Sequence, residues 1–287
     1  MTDFYKYHAL GNDYIVIDPS KTNVPMTKKN IQTICARHLG IGSDGILYGP
    51  IFEDGQIKLR IFNPDGSEAE KSGNGIRIFS KYLGDFRYVN SNEFLLSTLG
   101  GEVTVEIINL REGLIKVDMG TVTFQSNLIP VAGKRREVIQ ESIEVNGESL
   151  LVTCLSIGNP HCVVPLKEIS KEKAISLGSI LENNSFFPNR TNVQLMKVID
   201  PQNIYIEIWE RGAGYTMASG SSSCAAASAA YELGLVDRVV KVHMPGGEID
   251  IDIKFNGHVY MTGTSTTVAQ GEFLEEFKTG LMSDIMP

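Results

Sequence analysis

The segment Ile57-Lys-Leu-Arg-Ile-Phe-Asn63 alternates apolar and polar side chains, the period of a strand with one buried face. The same alternation returns in Ile204-Tyr-Ile-Glu-Ile-Trp-Glu210, an offset of 147. Two further words keep that offset: Gly11-Asn12 falls on Gly158-Asn159, and Ser72-Gly73 on Ser219-Gly220. Three blocks in one register, at about half the chain length, point to an internal duplication.

Each half then reads as strands enclosing a helix that opens after the Ser-Gly step. Ile76, Phe79, Ser80 and Leu83 recur at helical spacing and predict a helix over Gly73–Leu83, with Gly84 as its stop. Its counterpart runs from Gly220 to Gly234, and its Ser/Ala content predicts a helix packed closely on all sides. A third helix is expected over Lys28–Leu39, with Ile31, Ile34, Cys35, His38 and Leu39 on one face, Thr27 as cap and Gly40 as terminator. Strand-rich stretches are expected at Gly101–Ile108, Leu114–Met119, Ser149–Ile157 and Glu248–Thr262.

Composition narrows the function classes. Hydrophobic residues make up 42% and charged residues 21% of 287, the profile of a globular chain. No apolar run approaches the roughly 18 residues of a membrane span. Twenty-six basic and 34 acidic side chains give a net charge of −8 without a long single-sign run, so neither a nucleic-acid nor a membrane partner is expected. Asp3 and Lys6 stand where a secretory signal would place a basic stub and an apolar run. Cys35, Cys154, Cys162 and Cys224 form no C-x-x-C pair, which argues against a zinc knuckle or disulfide scaffold. The expectation is a cytoplasmic, reduced protein with a small-molecule partner.

Two matched Ser-Gly steps at helix starts offer anion sites, because the first N–H groups of a helix lack intrahelical acceptors and lie at the positive dipole end. Ser72 and Ser219 also read simply as caps, a position serine favours. Duplication adds weight to the first reading. Two related lobes facing one cleft would present positions 72 and 219 to opposite faces of one carbon, as proton removal and return require.

Gly11-Asn12-Asp13, Asn63-Pro-Asp-Gly-Ser-Glu-Ala-Glu70 with Gly73-Asn74-Gly75-Ile-Arg77, Gly158-Asn159-Pro160-His161 and Glu210-Arg211-Gly212-Ala213-Gly214 closely resemble the diaminopimelate epimerase family. The likeness extends from the first ten residues to the region of Gly263. It implies an α/β (α+β) fold of two pseudo-symmetric domains, 1–125 and 126–275, each a mostly antiparallel barrel-like sheet around a central helix, then a tail at 276–287. It implies a cleft between the domains in which LL- and meso-diaminopimelate interconvert by proton removal and return at the α-carbon. This is a step of lysine and cell-wall precursor biosynthesis, run without pyridoxal phosphate, metal or other cofactor. A homodimer is expected on the same ground.

In the family, one cysteine per half acts as acid or base; here Ser72 and Ser219 stand at those positions. A serine hydroxyl is far less acidic than a thiol and needs an adjacent base. Cys224 lies five residues past Ser219, about 140° further round a helix, and so points elsewhere. The serines are read either as native acid–base groups or as replacements of cysteines that hold the site inactive.

By resemblance, His161 and Glu210 stand beside the catalytic pair, and histidine is the side chain best able to exchange protons near neutrality. His161 taken singly reads as a histidine satisfied by backbone hydrogen bonds. His8, His38, His243 and His258 have no such context. The resemblance assigns Asn12, Asn63, Asn159, Asn192, Glu210 and Arg211 to the far amino-acid end of the substrate. It gives the α-carboxylate to the N–H groups of Gly73, Asn74, Gly220 and Ser221. Arginine suits a carboxylate and glutamate an ammonium, although a lone asparagine is more often a turn residue. Tyr215 stands where the family usually has glutamate. The alternatives are a diverged racemase or lyase acting on another polar amino acid, and a non-catalytic amino-acid-binding protein.

Overall fold

A computed structural model describes residues 2–282. Two compact units emerge, one comprising the chain up to Val117 together with the residues from Gly263 onward, the other running from Asp118 to Thr262.

The first unit contains β1 (Phe4–Ala9), β2 (Asn12–Ile17), α1 (Lys28–Cys35), β3 (Ile46–Glu53), β4 (Gln56–Phe62), β5 (Glu68–Ala69), α2 (Gly73–Asp85), β6 (Glu93–Thr98), β7 (Gly101–Asn109) and the start of β8 (Leu114–Thr121). The second contains β9 (Glu141–Val145), β10 (Glu148–Ser156), β11 (Pro160–Pro165), α3 (Lys171–Glu182), β12 (Asn192–Asp200), β13 (Asn203–Glu210), β14 (Gly214–Thr216), α4 (Gly220–Glu232), β15 (Val239–Met244), β16 (Gly247–Ile253) and most of β17 (His258–Thr264). The chain then returns to the first unit as β18 (Thr266–Gly271) and α5 (Glu275–Met282).

Strand neighbours in the first unit run β18, β1, β2, β3, β4, β6, β7, β8, with β2/β3 and β4/β6 parallel and the other pairs antiparallel. The second repeats the scheme as β9, β10, β11, β12, β13, β15, β16, β17, with β11/β12 and β13/β15 parallel. The offset of 147 survives at the level of single hydrogen-bonded rungs: Ile15↔Ile46 maps onto Cys162↔Val193, Ile46↔Phe62 onto Val193↔Trp209, and Ile61↔Ala69 onto Ile208↔Thr216. Duplication is therefore a property of the fold, which is α+β and strand-rich.

The central helices lie where these sheets curl. α2 packs on the neighbouring strands β1, β2 and β3 and on the more distant β7, and Ile76, Ile78, Phe79, Tyr82 and Leu83 are buried. α4 packs on β10, β11, β12, β13, β15 and β16, and its Cys224–Ala230 stretch is wholly buried. Small side chains on every face let the sheet close tightly around it. α1 puts Ile31, Ile34 and Cys35 into a core with Phe4, Ile15, Ile17, Ile46 and Phe62, joined by Phe273 and Leu281 from the returning segment.

Several boundaries differ from expectation. α1 ends at Cys35 because Ala36 turns extended (ψ 120) and the N–H groups of Ile41 and Gly42 both cap the Ile34 carbonyl. His38 and Leu39 thus leave the core face, and Leu39 is 83% exposed. α2 continues through Gly84 to Asp85, since Gly84 serves close packing; a Cβ there would lie 2.7 Å from Leu110 Cδ1. The strand-rich expectation for Glu248–Thr262, by contrast, holds: the stretch forms β16 and β17 around a turn in which Gly257 has φ +83. Residues from 263 count with the first unit rather than the second half, because β18 pairs with β1. The segment expected as a tail is helical as α5 to Met282, and 283–287 lie outside the described residues. All four cysteines are buried, with Cys154 opposite Cys162 across β10/β11.

Candidate active site

Both Ser-Gly steps form the helix starts that the spacing predicts. Ser72 is extended (φ −137, ψ 116), and its Oγ accepts the Gly75 N–H at 3.1 Å. Ser219 repeats this (φ −148, ψ 124), its Oγ accepting from Ser222 N–H at 3.5 Å while its carbonyl takes the Ser223 hydroxyl at 2.9 Å. Each serine does cap its helix. Capping at the third residue leaves the N–H groups of Gly73 and Asn74, and of Gly220 and Ser221, at the helix positions without intrahelical acceptors. Such a terminus favours an anion.

Around Ser72 the first unit builds a polar shell. Gly11 turns the chain between β1 and β2 at φ +84, a conformation that suits glycine, and Gly158 does the same between β10 and β11 at φ +99. After that turn Asn12 donates to Asp44 Oδ2 at 3.0 Å, and Asn74 donates to Asn12 Oδ1, also at 3.0 Å. Asn74 Oδ1 in turn accepts from the fully buried Arg77 at 2.8 Å. Asp44 also takes the Asp13 N–H and an Arg37 guanidinium nitrogen at 2.6 Å, while Arg37 and Lys6 reach Asp13. Burial raises the Asp13 carboxyl, but Arg37 and Lys6 outweigh it and hold it below the usual range. Tyr14, buried behind this loop, places its hydroxyl 3.1 Å from Ser72 Oγ. Asn63 is engaged in its own turn, donating to Ser67 Oγ at 3.0 Å.

In the second unit Asn192 organises the neighbourhood of His161. The two face each other in the parallel β11/β12 register. Asn192 Nδ2 donates to the Pro160 carbonyl at 2.8 Å, and its Oδ1 accepts the Arg211 N–H at 2.9 Å. His161 is fully buried, with Nε2 2.9 Å from Asn159 Oδ1. That contact is with a side chain, so the backbone-satisfied reading of His161 does not hold. Its Nδ1 and the buried Gln194 Oε1 have no hydrogen-bond partner among the described residues, although Gln194 Nε2 reaches the Ser222 hydroxyl at 3.0 Å on the first turn of α4. Burial drives the imidazole down to about 3, with Gln194 opposing and Arg211 reinforcing, so His161 is neutral near pH 7.

Glu210 ends β13, half-buried, and Arg211 is exposed, donating to the Asn189 carbonyl at 3.3 Å. The turn that carries them is anchored by the buried Glu182, which accepts from Trp209 Nε1 at 2.7 Å, Gly212 N–H at 2.9 Å and Arg190 at 3.0 Å. Tyr215 donates to Glu207 at 2.7 Å, and burial together with that carboxylate raises its phenol.

Within each unit, then, the structure assembles a subset of the expected residues: Asn12, Asn74 and Ser72 in one, Asn159, His161, Asn192 and Arg211 in the other. Sequence reading passed over Tyr14, Asp44, Gln194 and Ser222. For Tyr14 a signal was present, since the offset of 147 carries it onto His161.

A family model described as diaminopimelate epimerase matches residues 4–125 and 153–268. Diaminopimelate epimerase 2 of Nostoc sp. is 54% identical over 274 residues, covering 95% of this chain and 96% of its own. The diaminopimelate epimerase of Methanothermobacter thermautotrophicus is 40% identical over 283 residues, covering 95% and 99%. Among solved structures, a hydroxyproline epimerase from Agrobacterium vitis superposes with a TM-score of 0.66 at 11% identity, covering 93% of this chain and 91% of that one, a likeness of fold.

Proposed function

The chain belongs to the diaminopimelate epimerase family, and on that premise we propose that it is an isomerase that removes a proton from the α-carbon of diaminopimelate and returns one, interconverting the LL and meso forms. The observation that carries this reading is the recurrence of one Ser-capped, buried helix start in each unit, at positions 72 and 219 of an otherwise register-faithful repeat.

On this reading the substrate α-carboxylate is received by N–H groups of Gly73, Asn74, Gly220 and Ser221, where helix dipoles favour negative charge. The same charge stabilisation serves the carbanion-like species formed when the proton leaves, whose extra electron density spreads into the carboxylate. Ser72 and Ser219 are the groups that exchange protons with the α-carbon. Neither hydroxyl is acidic or basic enough to do so unaided. In this scheme His161, buried and neutral, and Glu210, which supplies a carboxylate, flank the catalytic pair in the second unit. Asn12, Asn63, Asn159, Asn192, Glu210 and Arg211 hold the far ammonium and carboxylate, through amide contacts and the forked guanidinium. The reaction needs no cofactor in this scheme. Family likeness also supports a homodimer in the cytoplasm, which sedimentation of the purified chain and cell fractionation test directly.

Incubation with LL- and meso-diaminopimelate in deuterated water tests the reading by the appearance of deuterium at the α-carbon. The expected result is slow exchange in the chain as it stands and faster exchange after Ser72→Cys with Ser219→Cys. Absence of exchange in both, with the fold intact by circular dichroism, overturns it. Turnover of a different amino acid while diaminopimelate stays untouched does so as well.

A further inference from the structure

We propose that Tyr14 is the positioning residue of Ser72, holding its hydroxyl and passing protons through it; the inference deepens the epimerase reading and rests on it for the identity of the substrate. Tyr14 Oη lies 3.1 Å from Ser72 Oγ, either atom able to donate. The ring is 7% exposed, and its place is kept open by Gly45, where a Cβ would stand 2.7 Å from Tyr14 Cε1 and 2.6 Å from the Phe62 carbonyl. The repeat supplies a second, independent indication: the shift of 147 that relates Ser72 to Ser219 relates Tyr14 to His161 and Gly45 to Asn192. The position that carries an imidazole in one unit carries a phenol in the other.

Valence counting shows what the pair can do. A serine hydroxyl has one donor and two acceptor sites. Gly75 N–H occupies one acceptor site of Ser72. When Tyr14 donates to Oγ, the Ser72 proton is left to face the substrate; when Ser72 donates to Tyr14, a lone pair is. In the protonating direction the carbanion electron pair forms the new Cα–H bond while the Ser72 O–H bond breaks, and the Tyr14 phenol gives its proton to Oγ, leaving a phenolate that water reprotonates. The reverse sequence removes a proton. A phenol is intrinsically more acidic than an aliphatic hydroxyl, which makes it a better terminal group for the relay than an isolated serine.

The test has a readout that requires no substrate. In Ser72→Cys, the thiol titration is followed by its alkylation rate against pH, with the unmodified chain correcting for the buried native cysteines. Adding Tyr14→Phe removes only the phenol oxygen and should raise that midpoint by about half a unit or more, because a thiolate loses its donor. An unchanged midpoint overturns the proposal. In the second arm, Tyr14→Phe in the Ser72 chain should lower kcat for α-hydrogen exchange at least about tenfold with KM unchanged, and less than about threefold in the Ser72→Cys background, where the thiol supplies its own acidity. Equal losses in both backgrounds overturn it too, as the mark of a purely structural tyrosine. A shifted thiol midpoint without exchange in any variant would leave the Tyr14–Ser72 coupling standing and refute the epimerase reading instead.

Discussion

Asn74 Nδ2 donates to Asn12 Oδ1 at 3.0 Å, so the first turn of α2 and the Gly-Asn loop are held as one piece. Asn74 Oδ1 also accepts from Arg77, a fully buried guanidinium. Asn74→Ala therefore removes an acceptor from a buried charge as well as the link to Asn12. The expected loss is about 2–3 kcal/mol of unfolding free energy, read as a lower urea midpoint with an unchanged m-value. A shift under about half a kcal/mol would show that neither bond matters.

His161 makes stability depend on pH. Burial lowers its pKa from 6.5 to about 3, so below 6.5 the unfolded chain binds a proton that the folded chain refuses. The stabilisation is complete above pH 6.5 and is lost as pH falls toward 3, at up to roughly 1.4 kcal/mol per unit for this one group. Denaturant titrations of the parent and of His161→Gln between pH 4 and 7 should show the parent losing stability more steeply. Parallel curves contradict the buried neutral imidazole.

Asp18 is 1% exposed and accepts the Tyr88 hydroxyl at 2.6 Å and the Tyr82 hydroxyl at 2.7 Å, with Ser20 adding two further bonds. Burial raises its pKa, yet these donors more than offset the rise and leave it below 3.8. Asp18 thus stabilises the fold above pH 3.8 and ceases to as pH falls below that. Asp18→Ala strands the hydroxyls and should cost about 3 kcal/mol; Tyr82→Phe, which removes one bond, should cost about 1–1.5 kcal/mol. Thermal unfolding of both variants checks the ranking.

Gly178 sits inside α3, where alanine would normally favour the helix by about 1 kcal/mol. A Cβ there would lie 2.4 Å from Trp209 Cβ and 2.5 Å from Cγ. Gly178→Ala should destabilise by about 1–3 kcal/mol instead, as overpacking displaces the indole. The same displacement lengthens the Trp209–Glu182 bond that anchors the 210–214 turn. Tryptophan fluorescence should therefore shift along with the melting temperature.

How much could be read in advance depended on range. The starts of α2 and α4, their Ser72 and Ser219 caps and the alternating strands β4 and β13 involve residues within a few positions of one another, and they stand where the pattern put them. The early end of α1 was illegible because the Ile34 carbonyl is satisfied from the following loop, at Ile41 and Gly42. Asn63 looked like its fellow asparagines, yet its partner Ser67 lies in its own turn, whereas Asn74 and Asn12 find each other across 62 residues.

Local periodicity and the repeated words were enough to establish a duplicated chain of strands around two capped helices, because alternation, helical spacing and N-cap chemistry are short-range and leave their mark in residue order; the α+β fold and the family came from the likeness of its short motifs. Folding alone could bring Tyr14 to Ser72, seat His161 in full burial with its charge suppressed, and return β18 to lie against β1. Those outcomes turn on which strand neighbours which and on how much water is excluded between them, and neither quantity is carried by any stretch of neighbouring residues.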